Sequence, residues 1–566
     1  MFDMKFSEMP YKRPDGDLLM AKTEELANRI NSAKSAGEIL EVIKEYEEIS
    51  SDFSTQYNIA YIRNTIDTRD EFYDAEKNFY DEFLPQYQEK DQLFMQALAA
   101  SPHRAELEKT ISPVVFKNIE LQLKGFDPKI IPLLQQENKL ISEYVKLNAA
   151  ATVEIDGKTL PLTKLGPYKQ SDDREVRRLA YEKEGEFFDA HREEYDRIYD
   201  ELVKNRTEQA KQLGFENFLP LGYIRQMRNC YGPEQVGCFR DQVVDVIVPV
   251  SDKIKEAQRK RIGVDKLKLY DDPYLFPDGN PKPHGTPDEL LAAAKKMYNA
   301  MSPETAEFIN DMFDMDMFDL LAKEGKAPGG YCTSVPDYKM PFIFSNFNGT
   351  AADVDVLTHE AGHAFAFYVS YRQIPIGMMR EPSLDACETH SISMEFLTSD
   401  YHSLFFGDDT DKYTLSHAED AITFIPYGCM VDHFQQIVYT HPEYTPEQRN
   451  GVWAELEKRY RPYMDFDGLP MYGRGAGWQR QHHIYEAPFY YIDYCMAYSL
   501  ALQFFSLFLK DKEEAWKKYL AFVRMGGTKT FIELAHDSGL YSPTDEGAIA
   551  AIMGNITKWL FEKENK

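Results

Sequence analysis

Stretches with apolar residues three or four positions apart dominate the sequence. Within residues 18–150, for instance, Ile39, Ile43 and Tyr46 recur at helical spacing. Ser35, just before them, is a residue type that commonly caps a helix. The same pattern predicts helices, with breaks, over residues 70–100, 104–149, 171–214, 287–324 and 495–509. We therefore predict a mainly α-helical fold.

Two short stretches depart from helical spacing. Residues 153–160 alternate β-forming residues around Asp156-Gly157, a pair typical of a two-residue hairpin turn. Residues 340–344 also favour a strand, but Pro341 cannot donate to a ladder, so we predict a strand at the edge of a sheet. Such an edge could pair with an extended peptide. The alternative is a short structural hairpin that docks the next helix, and the sequence leaves both open.

One predicted helix carries candidate chemistry. The motif His359-Glu360-Ala361-Gly362-His363 puts two histidines four residues apart, on one face of a helix, where both imidazoles can reach one metal ion. The alternative is an amphipathic helix whose polar residues simply face solvent. Gly362 costs a helix about 1 kcal/mol relative to alanine, so we expect another part of the chain to approach its backbone closely.

The surrounding residues support a helix at the motif. Thr350 and Asp353 have the spacing of a capping box, which predicts the start of this helix. Apolar residues then follow at helical spacing on both sides of the motif. They are Val354, Leu357, Ala361, Ala364 and Tyr368.

A third metal ligand must come from elsewhere in the chain. Downstream, Pro382 suits the first position of another helix. On that helix Asp385, Glu388 and Glu395 share one face, whereas His390 points elsewhere. A row of carboxylates makes a poor core unless a cation lies against it. We predict that Glu388 is the third ligand and that Asp385 and Glu395 orient the histidines.

This set of ligands predicts a catalytic zinc ion. Zinc commonly binds imidazole nitrogen and carboxylate oxygen, and a catalytic site keeps one position for water. Glu360 lies beside the two histidines and could take a proton from that water as a general base.

A second group of candidate residues follows near His483. Tyr490, Tyr491 and Tyr494 come soon after it, and a helix predicted from about Pro488 would put Tyr490 and Tyr494 on one face. An imidazole N–H and a phenol O–H can donate hydrogen bonds to the oxyanion that forms in peptide hydrolysis. Packing in the core is the alternative role for each tyrosine.

These motifs resemble a known family. The motif HEAGHA, with a downstream E-x-x-S-x-x-x-E at Glu388, Ser391 and Glu395, is similar to the thimet oligopeptidase and oligoendopeptidase F family of zinc peptidases. The oligoendopeptidase F/Pz-peptidase branch is the most similar. Residues from roughly 150 to 560 carry the resemblance, including the segments at 178–182, 202–207, 213–218, 344–349 and 483–494.

The resemblance implies a site and an architecture. It implies one Zn²⁺ ion held by His359, His363 and Glu388, with Glu360 as the general base. It also implies that His483 and one or two tyrosines stabilise the oxyanion. Tyr494 matches the family pattern, and a one-residue shift in the alignment decides between Tyr490 and Tyr491 as the other tyrosine. For the fold, it implies two helical halves around a deep substrate channel that admits short peptides only, with a small β-sheet beside the motif helix.

Domain organisation and composition complete the picture. We predict an N-terminal helical domain at 1–190 and a catalytic domain at 191–566, with an approximate boundary and interleaved halves.

The formal net charge of −29 argues against nucleic acid or an anionic membrane as a partner. The six cysteines form no C-x-x-C pair, and residues 1–22 are charged and interrupted by proline, so we expect a cytoplasmic protein. The oligomeric state stays open.

The predicted function is zinc-dependent hydrolysis of internal bonds in short oligopeptides. Two alternatives remain. One is an all-helical zinc metallocarboxypeptidase, which uses the same motif and a downstream glutamate. The other is a non-enzymatic peptide-binding protein with a structural metal, although such a site has no use for a general base at Glu360.

Overall fold

The computed structural model describes residues 4–327 and 329–564, and most of them are helical. Helices account for 71% of the protein, which confirms the predicted mainly α fold. In chain order they are α1 (Gly16–Ser32), α2 (Ala36–Ile66), α3 (Glu71–Ala99), α4 (Arg104–Leu107), α5 (Pro113–Lys124), α6 (Ile131–Ala149), α7 (Gly166–Lys169), α8 (Arg174–Ala190), α9 (Arg192–Gln212), α10 (Phe218–Arg225), α11 (Pro233–Gln242), α12 (Val248–Arg261), α13 (Pro287–Met301), α14 (Pro303–Asp314), α15 (Ala352–Gln373), α16 (Leu384–Leu397), α17 (Ser403–Phe406), α18 (Thr410–Thr440), α19 (Pro446–Tyr460), α20 (His482–Glu486), α21 (Tyr491–Phe508), α22 (Lys512–Met525), α23 (Phe531–Asp537) and α24 (Ala548–Glu564).

Within the described residues, two small sheets interrupt the helices. Strands β1 (Thr152–Ile155) and β2 (Lys158–Pro161) are antiparallel, and Asp156 and Gly157 between them have φ of 52° and 72°, which confirms the predicted hairpin. The second sheet consists of β3 (Phe318–Leu321), β4 (Tyr331–Val335) and β5 (Met340–Phe347). Its order is β3-β5-β4, with β3 parallel and β4 antiparallel to β5.

The position of Pro341 was not predicted correctly. β5 is the central strand of its sheet, so the predicted edge position is wrong. The N–H of Ile343 donates to the carbonyl of Met317 on the β3 side (3.1 Å), and the N position of Pro341, two residues earlier, faces the same side. Because β3 pairs from Ile343 onwards, the missing N–H removes no ladder bond, and β3 and β4 are the two edge strands of the sheet.

β3 lies in a stretch that was predicted to be helical. α14 ends at Asp314, and Asp316, with φ of 56°, turns the chain into the strand. A strand of four residues is too short for its own periodicity to be distinguished from that of the preceding helices. The predicted helical pattern up to residue 324 is therefore wrong for Phe318–Leu321.

The chain forms two compact units, each assembled from three segments. Unit 1 contains the chain up to Leu123, Pro281–Thr410 and Leu500–Tyr541. Unit 2 contains Lys124–Asn280, Asp411–Ser499 and the chain from Ser542. The predicted domain boundary at residue 190 and the predicted substrate channel stay predictions.

In unit 1 the segment after α15 is anchored in a hydrophobic core. Ile374 and Met379 pack there with Ile39 of α2, Leu98 of α3 and Phe116 of α5, all at most 9% exposed. This burial fixes the C-terminal end of α15, the helix that carries the motif, and the start of the connection to α16.

The apolar run at residues 495–509 belongs to α21, and Leu500, Leu502 and Phe504 within it are fully buried, as predicted. Among the residues that the structure describes, no helix has the length and apolar character needed to cross a membrane.

Candidate metal centre

The motif lies on α15, and the turn that precedes this helix differs from the prediction. The N-cap is Ala351, so the capping box expected at Thr350 is wrong. Instead, the Asp353 carboxylate accepts hydrogen bonds from the backbone N–H groups of Asn348 (2.9 Å) and Gly349 (2.7 Å). Asp353 thus ties the end of β5 to the first turn of α15, which places the motif helix against the sheet.

At Gly362 the backbone of α16 lies close against α15. A Cβ atom at this position would lie 2.6 Å from Ser391 Cα and 2.8 Å from the His390 carbonyl oxygen, both backbone atoms of α16. The expectation that another part of the chain approaches this glycine is therefore confirmed. The close approach brings the first turns of α16 beside the two motif histidines.

α16 begins two residues later than expected. Ser383, with the extended backbone of an N-cap (ψ 158°), precedes the first helical residue, Leu384, so the predicted place of Pro382 at the first position is wrong. The shift does not change the helical spacing of Glu388 and Glu395. His390 packs its ring against Phe522 at 5.3 Å between ring centroids.

His359, His363 and Glu388 meet at one point. One ligand atom from each lies within 4.8 Å of the others. Nε2 of His359 is 3.4 Å from Oε2 of Glu388, and Nε2 of His363 is 3.7 Å from the same oxygen. Ligands at zinc–nitrogen and zinc–oxygen bond lengths near 2.0–2.1 Å in tetrahedral geometry lie about 3.3 Å apart, so the donor types and the two distances to Glu388 fit one zinc ion.

The two histidines remain reachable, whereas the glutamate is enclosed. The side chains of His359 and His363 keep 25% and 22% of their surface exposed, against 7% for Glu388. A cation held here would thus have the protein on one side and an accessible position on the other, as a catalytic site requires.

Glu395 contacts the outer nitrogen of His359. Its Oε1 lies 2.7 Å from Nδ1, so the carboxylate accepts a hydrogen bond from Nδ1–H and holds the ring with Nε2 towards Glu388. Asp385 accepts hydrogen bonds from the Ser383 hydroxyl and from the backbone N–H of Ala386. Its predicted role in orienting a histidine stays a prediction.

The two histidines differ in their electrostatics. Burial lowers the pKa of His359, but its hydrogen bonds and charge interactions with Glu388 and Glu395 outweigh burial and raise that pKa well above its usual value. At His363 burial prevails and lowers the pKa to about 4. His363 is therefore neutral, with a lone pair for a metal, over the whole range in which enzymes normally work.

Glu360 faces the edge strand of the sheet. Its pKa is raised to about 7, chiefly by burial; the charge of His359 opposes this rise, and the charges of Glu388 and Glu395 add to it. The backbone N–H of Cys332 in β4 also donates to Glu360 and lowers this pKa. A carboxyl group with a pKa near neutrality can both take up and release a proton.

The second group of predicted residues gathers in unit 2. The ring centroid of His483 on α20 lies 5.8 Å from that of Tyr490, 4.8 Å from Tyr491 and 6.1 Å from Tyr494, and all four side chains are half-buried. α21 begins at Tyr491 rather than near Pro488, because Phe489 has a left-handed backbone (φ 68°). Tyr490 therefore precedes the helix, yet its ring still contacts that of Tyr494 (5.1 Å).

Sequence analysis did not predict two contacts of these groups. One is the hydrogen bond from the backbone N–H of Cys332 to Glu360. Every residue except proline has a backbone N–H, so the identity of residue 332 does not indicate this contact. The other is Gln481, whose amide nitrogen lies 2.9 Å from Nδ1 of His483. Gln481 is only two residues before His483 in the sequence, but neither helical nor strand periodicity predicts a contact between side chains at this spacing.

Similarity to known proteins agrees with this geometry. Residues 167–554 match peptidase family M3, and residues 6–126 match the peptidase M3 N-terminal domain. The solved structure of "PZ peptidase A with inhibitor 2" shares 46% sequence identity and superimposes with a TM-score of 0.92, over 99% of this chain and 100% of that one.

Curated relatives are more distant. Oligopeptidase PepF of Bacillus subtilis (strain 168) is 22% identical over 393 residues, which are 68% of this chain but only 57% of PepF. The oligoendopeptidase F homolog of Borreliella burgdorferi is 21% identical over 485 residues, 81% of this chain and 78% of that protein. The match to the family covers more than half of the sequence and confirms the predicted resemblance and the peptidase class. The chain belongs to peptidase family M3, in its oligoendopeptidase F branch.

Proposed function

We propose that this protein is a zinc-dependent endopeptidase that hydrolyses short oligopeptides. The observation that carries the proposal is the meeting of His359, His363 and Glu388 within 4.8 Å, with Glu360 next to them on the same helix. Membership of family M3 implies a metal cofactor, and the two imidazoles with one carboxylate favour zinc. That no nucleic acid or membrane is a partner, and that the protein is cytoplasmic, stay predictions.

In the proposed mechanism His359, His363 and Glu388 hold the ion, and Glu395 fixes the ring of His359. Bound there, zinc supplies Lewis acidity, which lowers the pKa of a water molecule and polarises the peptide carbonyl. Glu360 takes a proton from the attacking water and delivers it to the leaving amine. Its pKa near 7 suits both transfers, because the group is neither a strong acid nor a strong base.

We assign stabilisation of the oxyanion to His483, Tyr494 and Tyr490. Their rings contact one another and expose part of their surface, which supports a role at a substrate rather than in the core. Tyr491, with the shortest ring distance to His483, is an equal alternative to Tyr490. One well-placed donor is worth roughly 10²–10³-fold in kcat.

The sheet edge is the proposed place for the peptide backbone. In β5, Ile343 directs its N–H towards β3. Cys332, the residue of β4 that pairs with Ile343, therefore directs its backbone N–H and C=O away from β5, and Ser334 does the same. Asn58 already donates to the Ser334 carbonyl (2.9 Å). Because the Cys332 N–H already donates to Glu360, strand addition would start at the Cys332 carbonyl, beside Glu360. The alternative, that the sheet only docks α15, needs no peptide there.

The experiment is hydrolysis of a quenched fluorescent peptide that is blocked at both ends. We expect turnover that a chelator abolishes and that stoichiometric Zn²⁺ restores, with product masses showing an internal cut. Cleavage of free C-terminal residues only would show the carboxypeptidase alternative. Peptide binding and one bound metal ion without turnover would show the non-enzymatic alternative.

Replacing Glu395 by glutamine tests the support of His359. We expect zinc affinity to fall about 10–100-fold, because the neutral amide no longer makes the imidazole a stronger donor. The dissociation constant is measured by competition with a chromogenic chelator. Glu304→Gln on α14, at a partly exposed glutamate paired with Arg524, is the control with the same chemical change. Equal zinc affinity in the Glu395 variant and in the wild type would contradict the assignment.

A further inference from the structure

A chain of hydrogen bonds in unit 2 ends on His483. The hydroxyl of Tyr427 in α18 donates to Oε1 of Gln481 (2.8 Å), and Nε2 of Gln481 donates to Nδ1 of His483 (2.9 Å). A carboxamide nitrogen only donates hydrogen bonds, so Nδ1 must act as the acceptor. A neutral imidazole carries one proton, and in this arrangement that proton is on Nε2.

The direction of the chain depends on Tyr427. If its hydroxyl accepted instead of donated, the Gln481 amide would turn over and Nδ1 of His483 would carry the proton. The guanidinium carbon of Arg461 lies 5.0 Å from the Tyr427 ring centroid. Burial raises the pKa of Tyr427, and the charges of Arg480 and Arg461 oppose this effect. Nearby cations make a phenol a better donor and a poorer acceptor, which favours the observed direction.

We propose that Gln481, held by Tyr427, is a positioning residue that keeps neutral His483 as the tautomer with its proton on Nε2. The rings of Tyr490, Tyr491 and Tyr494 surround the same imidazole at 4.8–6.1 Å and limit its rotation. An Nε2–H can then donate at any pH at which the imidazole is neutral. The assignment of the tautomer depends only on the hydrogen bonds. The expected effect on kcat also rests on the proposed function of His483.

The first measurement reads the tautomer directly. Long-range ¹H–¹⁵N spectra of the zinc-loaded, full-length protein, labelled on histidine, distinguish a protonated ring nitrogen from an unprotonated one. His483→Asn identifies the signal. We expect Nε2 of His483 to be protonated and Nδ1 to be unprotonated in the wild type. A protonated Nδ1 in neutral His483 would overturn the proposal.

Gln481→Glu is the decisive variant, because a carboxylate of the same shape can only accept. Neutral His483 should then move its proton to Nδ1 and lose its donor on Nε2. When the imidazole is doubly protonated at low pH, Nε2 regains a proton. The ratio of variant to wild-type kcat should therefore fall, by about 10²-fold, as pH rises through the pKa of His483. KM should change much less than kcat.

The pH series must account for other groups around His483. Tyr490, Tyr491 and Tyr494 face it from α21 and the preceding turn, and Gln481 faces it from its own segment. Gln481 does not ionise, a phenol ordinarily ionises near pH 10, and the carboxylate in Gln481→Glu ordinarily ionises near pH 4, so the titration assigned to the imidazole is read between about pH 5 and 9. His482→Gln on the exposed neighbour is the control, and its kcat ratio should not depend on pH.

Tyr427→Phe tests the chain without changing any group in contact with His483. We expect a mixture of both tautomers and a smaller loss of kcat, because the amide of Gln481 can then turn over. A single Nε2–H tautomer in both variants would overturn the proposal. The expected tautomers in all proteins, combined with unchanged kcat, would support the positioning role but contradict the proposed catalytic function of His483.

Discussion

Replacing Glu360 by glutamine is expected to lower kcat by about 10³-fold or more while the protein still binds one zinc ion. General base catalysis contributes about 10²–10⁴-fold, and the glutamine amide can neither take a proton from water nor deliver one to the leaving amine. Glu360 is not among the three side chains that meet at the candidate site, so zinc should stay bound. Turnover of the blocked peptide and the zinc content of the purified protein are measured together.

The control for this prediction is Glu304→Gln, which makes the same chemical change at a partly exposed ion pair in the same unit. Exposed ion pairs contribute little to stability, so its kcat should match the wild type. If Glu360→Gln kept near-normal turnover, Glu360 would not be the base. If it lost zinc as well as turnover, the residue would act on the metal site rather than on the proton.

Much of the fold and the candidate site was visible in the sequence because both depend on helical periodicity. His359 and His363 face one way because four residues make about one helical turn, and the same rule puts Glu388 and Glu395 on one face of α16. The hairpin at Asp156-Gly157 was equally clear, because a two-residue turn with positive φ at both positions strongly favours these residue types.

The wrong predictions arose where a rule for local sequence was overridden by a contact with another segment of the chain. Pro341 was placed at an edge because proline lacks an N–H, but the loss has no effect where β3 does not reach. Thr350 had the spacing of a cap, yet Asp353 bonds to the preceding turn instead. A sequence pattern shows which hydrogen bonds a residue can make. The positions of Pro341 and Thr350 depended instead on where the neighbouring segments, β3 and the turn before α15, lie in the fold.

Contacts between residues distant in sequence could not be predicted at all. Tyr427 lies 54 positions before Gln481, and only the packing of α18 brings its hydroxyl to that amide. Gly362 is an intermediate case. Its cost to the helix indicated a close neighbour, but the sequence could not show that the neighbour is the backbone of α16.

Replacing Gly362 by alanine is therefore expected to destabilise the protein and weaken its zinc site. Helix propensity alone predicts the opposite, a gain of about 1 kcal/mol. The new Cβ would meet the Ser391 Cα at 2.6 Å and the His390 carbonyl at 2.8 Å, and backbone atoms cannot move aside as a flexible side chain can. Overpacking of this kind typically costs about 1–3 kcal/mol.

The two helices can relieve the clash only by moving apart, and this movement carries Glu388 away from His359 and His363. We expect zinc affinity to fall at least about tenfold, together with the free energy of unfolding in a urea titration. Gly451 in α19 is the matched control: it is also helical, but a Cβ there meets nothing within 4 Å. Gly451→Ala should stabilise the protein by about 0.5–1 kcal/mol and leave zinc binding unchanged. Opposite signs for the same substitution in two helices would show that the contact between α15 and α16, rather than helix propensity, requires glycine at position 362. If both variants were stabilised, the close approach of α16 would not be what holds the three metal-binding side chains together.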